Sequence, residues 1–316
     1  MKRLIGFLFS LTFAASAAWA DYPDKPINLI VPLPAGGPTD AVARSVADAL
    51  SRSLGKPIVV ENKPGADGAI GAKAAITAPA DGYTLLFGIG SLVAVPYLQN
   101  PPPYDARKDL NPVSTIGRFP FVLSVHPSVP AATISEFIAY AKSNPSGLFY
   151  ASSTAAEALA AAELMKATGI AMTRVPYKGS AQAMPDLLSG RVHVMVGPIS
   201  AVLPASREGK IRLLAVFSSS RASAAPDVPT LSEAGITGIA VPTWQAVFAP
   251  PDVPKPVIDR LNAEIATALK ADDLRRRLDG LMLQIEPSTP EELRERVARE
   301  SRTWEKFIRD HNLGPQ

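Results

Sequence analysis

A glycine-rich loop near the N-terminal end is the sharpest local feature that could bind a ligand. The segment Val31–Asp40 reads VPLPAGGPTD and joins an apolar run to a helical pattern. Gly36 and Gly37 let the backbone turn sharply and approach a ligand without an intervening Cβ. Thr39 or Asp40 can cap the helix, whose first N–H groups suit a carboxylate. The alternative is a capped Pro/Gly turn that binds nothing.

Two further turns place small and hydroxyl residues between an apolar run and a helical pattern. They are Ser152–Thr154, which includes Ser153, and Gly179-Ser180. Each is only a capping signal when taken alone. Together with the first loop they predict helix N-termini in both halves of the chain that converge across a cleft.

The residues that carry covalent or metal chemistry are sparse. The chain has no cysteine and no G-x-S-x-G serine elbow. Its three histidines, His126, His193 and His311, are far apart in the sequence. We therefore predict no catalytic residue, no cofactor and no metal site.

The first twenty residues have the order of a secretory signal peptide. Lys2 and Arg3 precede the apolar run Leu4–Phe13, and Ala18-Trp19-Ala20 is an A-x-A cleavage pattern. The apolar run is shorter than the roughly 20 residues that a membrane-spanning helix needs. Residues 1–20 are thus predicted to be removed on export to the periplasm, leaving Asp21 first.

Charge and composition indicate no nucleic-acid partner. Lys2 and Arg3 leave with the signal, so the 32 basic residues fall by two and nearly balance the 29 acidic ones. No basic stripe is interleaved with aromatic residues. We expect a monomer that binds a small molecule.

Short apolar runs alternate with helical patterns through both halves of the chain. Val42, Val46, Leu50 and Leu54 form one apolar stripe, as in a helix packed on a sheet. This alternation predicts mostly parallel sheets covered by helices. Two segments, 119–125 and 243–248, resemble strands that cross between domains. We predict lobe 1 from residues 21–120 with 243–316, and lobe 2 from 121–242.

The chain resembles the substrate-binding proteins of tripartite tricarboxylate transporters, also called Bug receptors, over essentially its whole mature length. The motifs that carry the resemblance are Tyr22-Pro23 to Pro26-Ile27, Val31-Pro32 to Gly36-Gly37 and Asp40, Val60 to Ala66, Pro79 to Leu86, Val175 to Ser180, Pro226 to Thr230, and Glu233-Ala234-Gly235. The resemblance implies a two-lobed α/β fold of the class II periplasmic binding proteins, with flanking helices and a two-strand hinge.

The resemblance also implies how such a protein works. Members of the family close two lobes on a small carboxylic or amino acid and hold its carboxylate mainly with backbone groups and water. By analogy, the cleft contains the following residues: Ala35, Gly36, Gly37, Thr39, Asp40, Ser91, Ser152, Ser153, Thr154, Gly179, Ser180 and Trp244. Trp244 is either a wall of the cleft or packing at the hinge.

One segment departs from the family pattern. Where the family has a Gly-x-Gly-Ser stretch and a nearby histidine, this chain has Thr154-Ala155-Ala156-Glu157. Alanine favours a helix that starts earlier. We interpret Glu157 as a surface residue of that helix, with selection of an amine-bearing ligand as the alternative.

The resemblance implies a receptor that captures a small carboxylate, such as a di- or tricarboxylate or an amino-acid-like molecule, and catalyses nothing. Its partners would be the membrane subunits of a transporter. An alternative is a ligand sensor that docks on a membrane signalling partner such as a sensor kinase. Neither reading identifies the solute.

Overall fold

The computed structural model describes residues 22–145, 147–239, 241, 243–310 and 313–314. The predicted signal peptide, residues 1–20, lies outside the described residues, as does His311. None of the helices within the described ranges has the length and apolar character needed to cross a membrane.

The first sheet has six strands in the described part of the chain, in the order β11-β4-β10-β3-β1-β2. Its strands are β1 Ile27–Val31, β2 Ile58–Asn62, β3 Thr84–Ile89, β4 Asn111–Arg118, β10 Trp244–Ala249 and β11 Gln284–Ile285. The flanking helices are α1 Pro38–Leu54, α2 Ala69–Ile76, α3 Val95–Leu98, α8 Lys255–Ala268, α9 Asp272–Gly280 and α10 Pro290–Asp310.

The second sheet has five strands in the same described ranges, in the order β7-β6-β8-β5-β9. Its strands are β5 Phe121–Val125, β6 Phe149–Ser152, β7 Thr173–Pro176, β8 Val194–Pro198 and β9 Arg212–Val216. Its helices are α4 Ile134–Ser143, α5 Ala155–Thr168, α6 Ser180–Leu188 and α7 Ile199–Arg207. Separate clusters of buried apolar side chains cover the faces of each sheet.

Helix α1 shows how the sequence pattern sets packing. The predicted stripe Val42, Val46, Leu50 and Leu54 is buried against the first sheet. Proline at the first helical position needs no hydrogen-bond partner for its nitrogen, and the helix ends at Gly55, whose φ is +66°. The prediction of a helix packed on one face of a sheet is confirmed.

The prediction of a two-lobed α/β fold is confirmed, but both sheets are mixed where we predicted mostly parallel ones. Strands β1, β2 and β3 are parallel, as are β6, β7 and β8. Every antiparallel pairing among the described strands includes β4, β5 or β10. These strands lead between the sheets, so no helical crossover returns them in the parallel direction.

The strands divide between the sheets according to their position along the chain. Only Phe119 and Pro120 separate β4 of the first sheet from β5 of the second. The chain returns to the first sheet at β10. We retain as a proposal the lobe boundaries 21–120 with 243–316 and 121–242.

Candidate ligand-binding cleft

A single cleft between the two sheets collects most of the residues that the sequence singled out. Its empty volume is about 780 Å³, including the open mouth. Ten of the twelve predicted site residues line it: Ala35, Gly37, Thr39, Asp40, Ser91, Ser153, Thr154, Gly179, Ser180 and Trp244. Gly36 and Ser152 do not line it, although both are next to residues that do.

Gly36 does not present its amide to the cleft as the sequence suggested. Its φ of +82° falls in the left-handed region, which favours glycine, so the predicted sharp turn is present. However, its N–H donates to Asp40 Oδ2 at 3.0 Å. The amide of Gly36 therefore closes the loop onto the helix.

Asp40 holds the loop in place and does not cap α1. The N-cap is Gly37, and no side chain accepts a capping hydrogen bond there, so neither Thr39 nor Asp40 is the cap that we predicted. Besides the Gly36 amide, the Asp40 carboxylate accepts from Arg44 Nε at 3.0 Å and from Asn62 Nδ2 at 2.9 Å. Burial acts to raise the pKa of Asp40, but these three hydrogen bonds outweigh it and lower the pKa. The negative charge of Asp40 is thus balanced by the guanidinium of Arg44.

The N-terminus of α1 points its first turn at the cleft. Gly37 has ordinary extended backbone angles, φ −84° and ψ 170°, which most residues can adopt. A Cβ there would find no atom closer than Pro34 O at 3.9 Å. Glycine at position 37 therefore leaves space beside helix N–H groups that lack partners within the helix.

Two more helix N-termini reach the cleft from the second sheet. Helix α5 has Thr154 as its N-cap, whose Oγ1 accepts from the Glu157 N–H at 3.3 Å. Helix α6 has Gly179 as its N-cap and no side-chain cap. A Cβ on Gly179 would lie 3.3 Å from Pro34 Cγ and Cδ, so the two lobes touch here. The three helix N-termini make the cleft favourable for a carboxylate.

Ser152 does not line the cleft as predicted but stabilises the second sheet. It is fully buried at the end of β6, and its Oγ accepts from Arg174 Nε at 2.7 Å. Ser152 is thus bonded to a residue of the neighbouring strand β7, while Ser153 and Thr154 of the following turn line the cleft. The sequence could not distinguish these adjacent hydroxyls.

The prediction that Glu157 is a surface residue is wrong. Its exposed fraction is 2 %, and it lines the cleft. Its Oε2 accepts a hydrogen bond from the Ser153 N–H. Burial raises the pKa of Glu157 to about 7, although the amides of Ser153 and Thr154 and the charge of Arg174 act in the opposite direction. Helix α5 begins next to the cleft because Ala155 and Leu159 pack against the buried turn Gly90–Val93 of the other lobe.

Several polar side-chain atoms in the cleft are buried without a hydrogen-bond partner. They include Ser91 Oγ and Gln245 Oε1. The Ser153 hydroxyl is also without a hydrogen-bond partner, although it is near enough to Glu157 to lower the pKa of that carboxyl group. Buried polar groups are normally paired, so these atoms are available to a ligand or to ordered water.

Sequence reasoning missed other lining residues. These are Leu33, Pro34, Pro38, Phe119, Phe121, Ala156, Ala181, Gln182, Pro198, Thr243 and Gln245. Gln245 had a usable signal, since it is the one polar residue of the apolar strand WQAVFA. Most of the others are apolar, and their types do not distinguish a cleft wall from a core.

Trp244 combines the two roles that the sequence left open. It lines the cleft, and it also packs 6.0 Å from Phe248, centroid to centroid. Its Nε1 donates to Glu300 Oε2 at 2.7 Å. The indole is therefore fixed from behind while one edge borders the cleft.

The two described histidines lie away from the cleft. His126 Nδ1 interacts with Ser128, and His193 Nδ1 accepts from the Phe149 N–H at 3.1 Å. Within the described ranges, no cluster of three or more His, Cys, Asp or Glu side chains is suited to a metal ion.

Comparison with known proteins gives one consistent family. Residues 42–313 match the model of the tripartite tricarboxylate transporter family receptor. The chain is 36 % identical over 318 residues to BugT of Bordetella pertussis, covering 98 % of each chain. It is similar to the solved periplasmic binding protein BugD, with 32 % identity and a TM-score of 0.87, covering 93 % of this chain and 100 % of BugD. A Rhodopseudomonas palustris protein solved with adipate has 33 % identity and a TM-score of 0.88, with coverage of 93 % and 100 %.

Proposed function

Since this chain belongs to the tripartite tricarboxylate transporter family of receptors, we propose that it captures a small carboxylate in the interlobe cleft and delivers it to the membrane subunits of a transporter. The observation that carries this proposal is the convergence of three helix N-termini, those of α1, α5 and α6, on one cleft with unpaired buried polar atoms. The solved relative with bound adipate supports a carboxylate as the ligand class.

In this proposal the carboxylate is held by neutral donors. No lysine or arginine is among the described residues that line the cleft. The available donors are the first-turn N–H groups of α1 and α6, those of α5 that its cap by Thr154 and Glu157 leaves free, and the hydroxyls of Ser91, Ser153 and Ser180. Fixed dipoles in a partly enclosed site stabilise an anion more than they would in water. The protein is thus a receptor without a catalytic role, working in the periplasm after removal of residues 1–20.

The test is a thermal-shift screen followed by calorimetric titration. The panel contains mono-, di- and tricarboxylates, amino acids, and the neutral amide of each acid. We expect at least one carboxylate to stabilise the protein, by about 2.7 kcal/mol at a hundredfold excess over Kd, while its amide does not. Equal stabilisation by acid and amide, or by no member of the panel, would contradict the proposal.

Export is tested separately. Mature protein released from the periplasm by osmotic shock is expected to begin at Asp21 in mass spectrometry. An intact Met1 on that protein would contradict the predicted cleavage.

A further inference from the structure

Glu157 brings to the cleft a carboxyl group whose negative charge, when it ionises, is unmatched. The other acidic residue there, Asp40, is paired with Arg44 at 3.0 Å. Among the described residues, no ion pair within 4.0 Å includes Glu157. Arg174 is the cation that acts on it, but the guanidinium of Arg174 is engaged by Ser152 at 2.7 Å and lies 3.9 Å from Asp67.

Helix capping does not explain why this carboxylate is buried in the cleft. Helix α4 has the same motif, in which Thr133 Oγ1 accepts from the Glu136 N–H and Glu136 Oε2 accepts from the Ala132 N–H at 2.7 Å. Glu136 is exposed to solvent, whereas Glu157 is almost fully enclosed. Capping engages Oε2 of Glu157. Its Oε1 would lie 3.5 Å from a Cβ on Gly197, in space that glycine leaves open.

A second acceptor faces the same cleft from the other lobe. Gln245 on β10 is 5 % exposed, and its Oε1 has no hydrogen-bond partner. An ionised ligand carboxylate only accepts hydrogen bonds, so it leaves Gln245 Oε1 unpaired and is repelled by the ionised form of Glu157. A ligand that donates would pair with both groups.

The charge balance points to the same chemistry. The helix N-termini accommodate one carboxylate of the ligand. A second negative group would meet Glu157 in a site where the described lining residues include no lysine or arginine. A positive group on the ligand would instead pair with Glu157, and pairing is what makes burial of a charge tolerable.

We infer that the ligand carries a protonated amine beside its carboxylate, and that Glu157 determines this specificity by accepting a hydrogen bond from the ammonium group. Gln245 Oε1 is the second acceptor for that group. This inference rests on the proposed function and narrows its ligand class to zwitterionic, amino-acid-like molecules.

The experiment compares pairs of probes that differ by one amine: glutarate with glutamate, propanoate with alanine, and butanoate with 4-aminobutanoate. Each is titrated into wild type, Glu157→Gln and the matched control Glu136→Gln. We expect wild type to prefer the amine-bearing member of at least one pair by about tenfold or more. Glu157→Gln should lose about tenfold or more for that member and keep or gain affinity for the plain acid. Glu136→Gln should behave as wild type.

Each outcome separates this inference from the proposed function. Tighter binding of the plain acids by wild type overturns the inference and leaves the carboxylate receptor intact. Binding of an amine-bearing probe that Glu157→Gln does not weaken also overturns it, because another group then holds the amine. If no probe binds although a plain carboxylate of the thermal-shift panel does, the inference is overturned and the proposed function stands, whereas failure of that whole panel contradicts the proposed function itself. If Glu157→Gln does not fold, the inference is still tested by comparing the affinities of wild type for the two members of each probe pair.

Discussion

The indole Nε1 of Trp244 donates to the Glu300 carboxylate at 2.7 Å, which ties strand β10 to helix α10 directly behind the cleft. Glu300 is half-buried, and partial burial raises its pKa while the hydrogen bond from Trp244 acts to lower it. This one hydrogen bond gives the half-buried carboxylate a donor and also fixes the orientation of the indole that lines the cleft.

Trp244→Phe should therefore destabilise the protein by more than the loss of indole area alone. The substitution leaves the half-buried Glu300 carboxylate without its indole donor, which costs about 0.5–1.5 kcal/mol. Urea unfolding of Trp244→Phe and of the double variant Trp244→Phe/Glu300→Leu measures this. We expect the double variant to be more stable than Trp244→Phe, because leucine needs no hydrogen-bond donor. Equal free energies of unfolding for the two variants would show that loss of the indole donor does not destabilise the protein through Glu300.

Gly37→Val tests whether the N-terminus of α1 holds the ligand. The backbone angles at Gly37 suit valine, so the fold should survive. The new side chain would occupy cleft space beside the helix N–H groups, and affinity for the best carboxylate should fall by about a hundredfold or more. Calorimetric titration with circular dichroism checks both points.

The matched control for that variant is Gly280→Val. Gly280 lies at the end of α9, and a Cβ there would meet no atom within 4 Å. It should bind as wild type does. Wild-type affinity in folded Gly37→Val would mean that the carboxylate is held elsewhere, with α5 and α6 the next candidates.

Asp40→Ala tests the loop-positioning role. The change leaves the Gly36 N–H and the Asn62 amide without their carboxylate partner and should cost about 1–3 kcal/mol of stability. Ligand affinity should fall as well, because the loop that borders the cleft loses its anchor. The control is Asp48→Ala, which removes an ion-paired carboxylate of the same helix outside the cleft and should not change affinity. Unchanged affinity in Asp40→Ala would restrict Asp40 to a stabilising role.

Glu157 should make stability depend on pH in a defined window. Its folded pKa is about 7 against an ordinary value of 4.5, so the folded protein binds more protons than the unfolded chain between these values. The stability contribution is fully present below about pH 4.5 and is lost as the pH rises through 7, by about 3 kcal/mol in total.

Glu157→Gln removes this titration, so the free energy of unfolding of wild type minus that of Glu157→Gln should decline from pH 5 to pH 8. Taking the difference cancels the other titrating groups, including Glu300. The same difference for Glu136→Gln should show no comparable decline. A flat difference for Glu157→Gln would indicate that Glu157 has its ordinary pKa and is hydrated.

Closure of the lobes should depend on the contact between Pro34 and Gly179. The two residues meet across the cleft, and a Cβ on Gly179 would already approach Pro34 to 3.3 Å. With a validated ligand, we expect the radius of gyration of wild type to fall on binding and that of Gly179→Val to fall less, because the larger side chain holds the lobes apart. Small-angle scattering measures both. An identical decrease in the two proteins would show that closure does not bring these residues together.

The sequence by itself determined the fold family and which turns lead into helices. Periodicity along α1 predicted its buried stripe, and the glycine-rich loop predicted the turn at Gly36, because both depend on local geometry. The ordered family motifs predicted the two lobes. Strand direction was less accessible, since the antiparallel pairings of β4, β5 and β10 depend on how the chain passes between the sheets.

The tertiary structure decided which groups face the cleft and which are already occupied. The amide of Gly36 is used by Asp40, the hydroxyl of Ser152 is used by Arg174, and Gln245 is left unpaired. Glu157 follows a helix cap as Glu136 does, and local sequence predicts the same exposed position for both. Glu157 is enclosed because α5 packs against the buried turn of the other lobe and its carboxyl group lies beside Gly197 of β8, and such contacts join segments far apart in the chain.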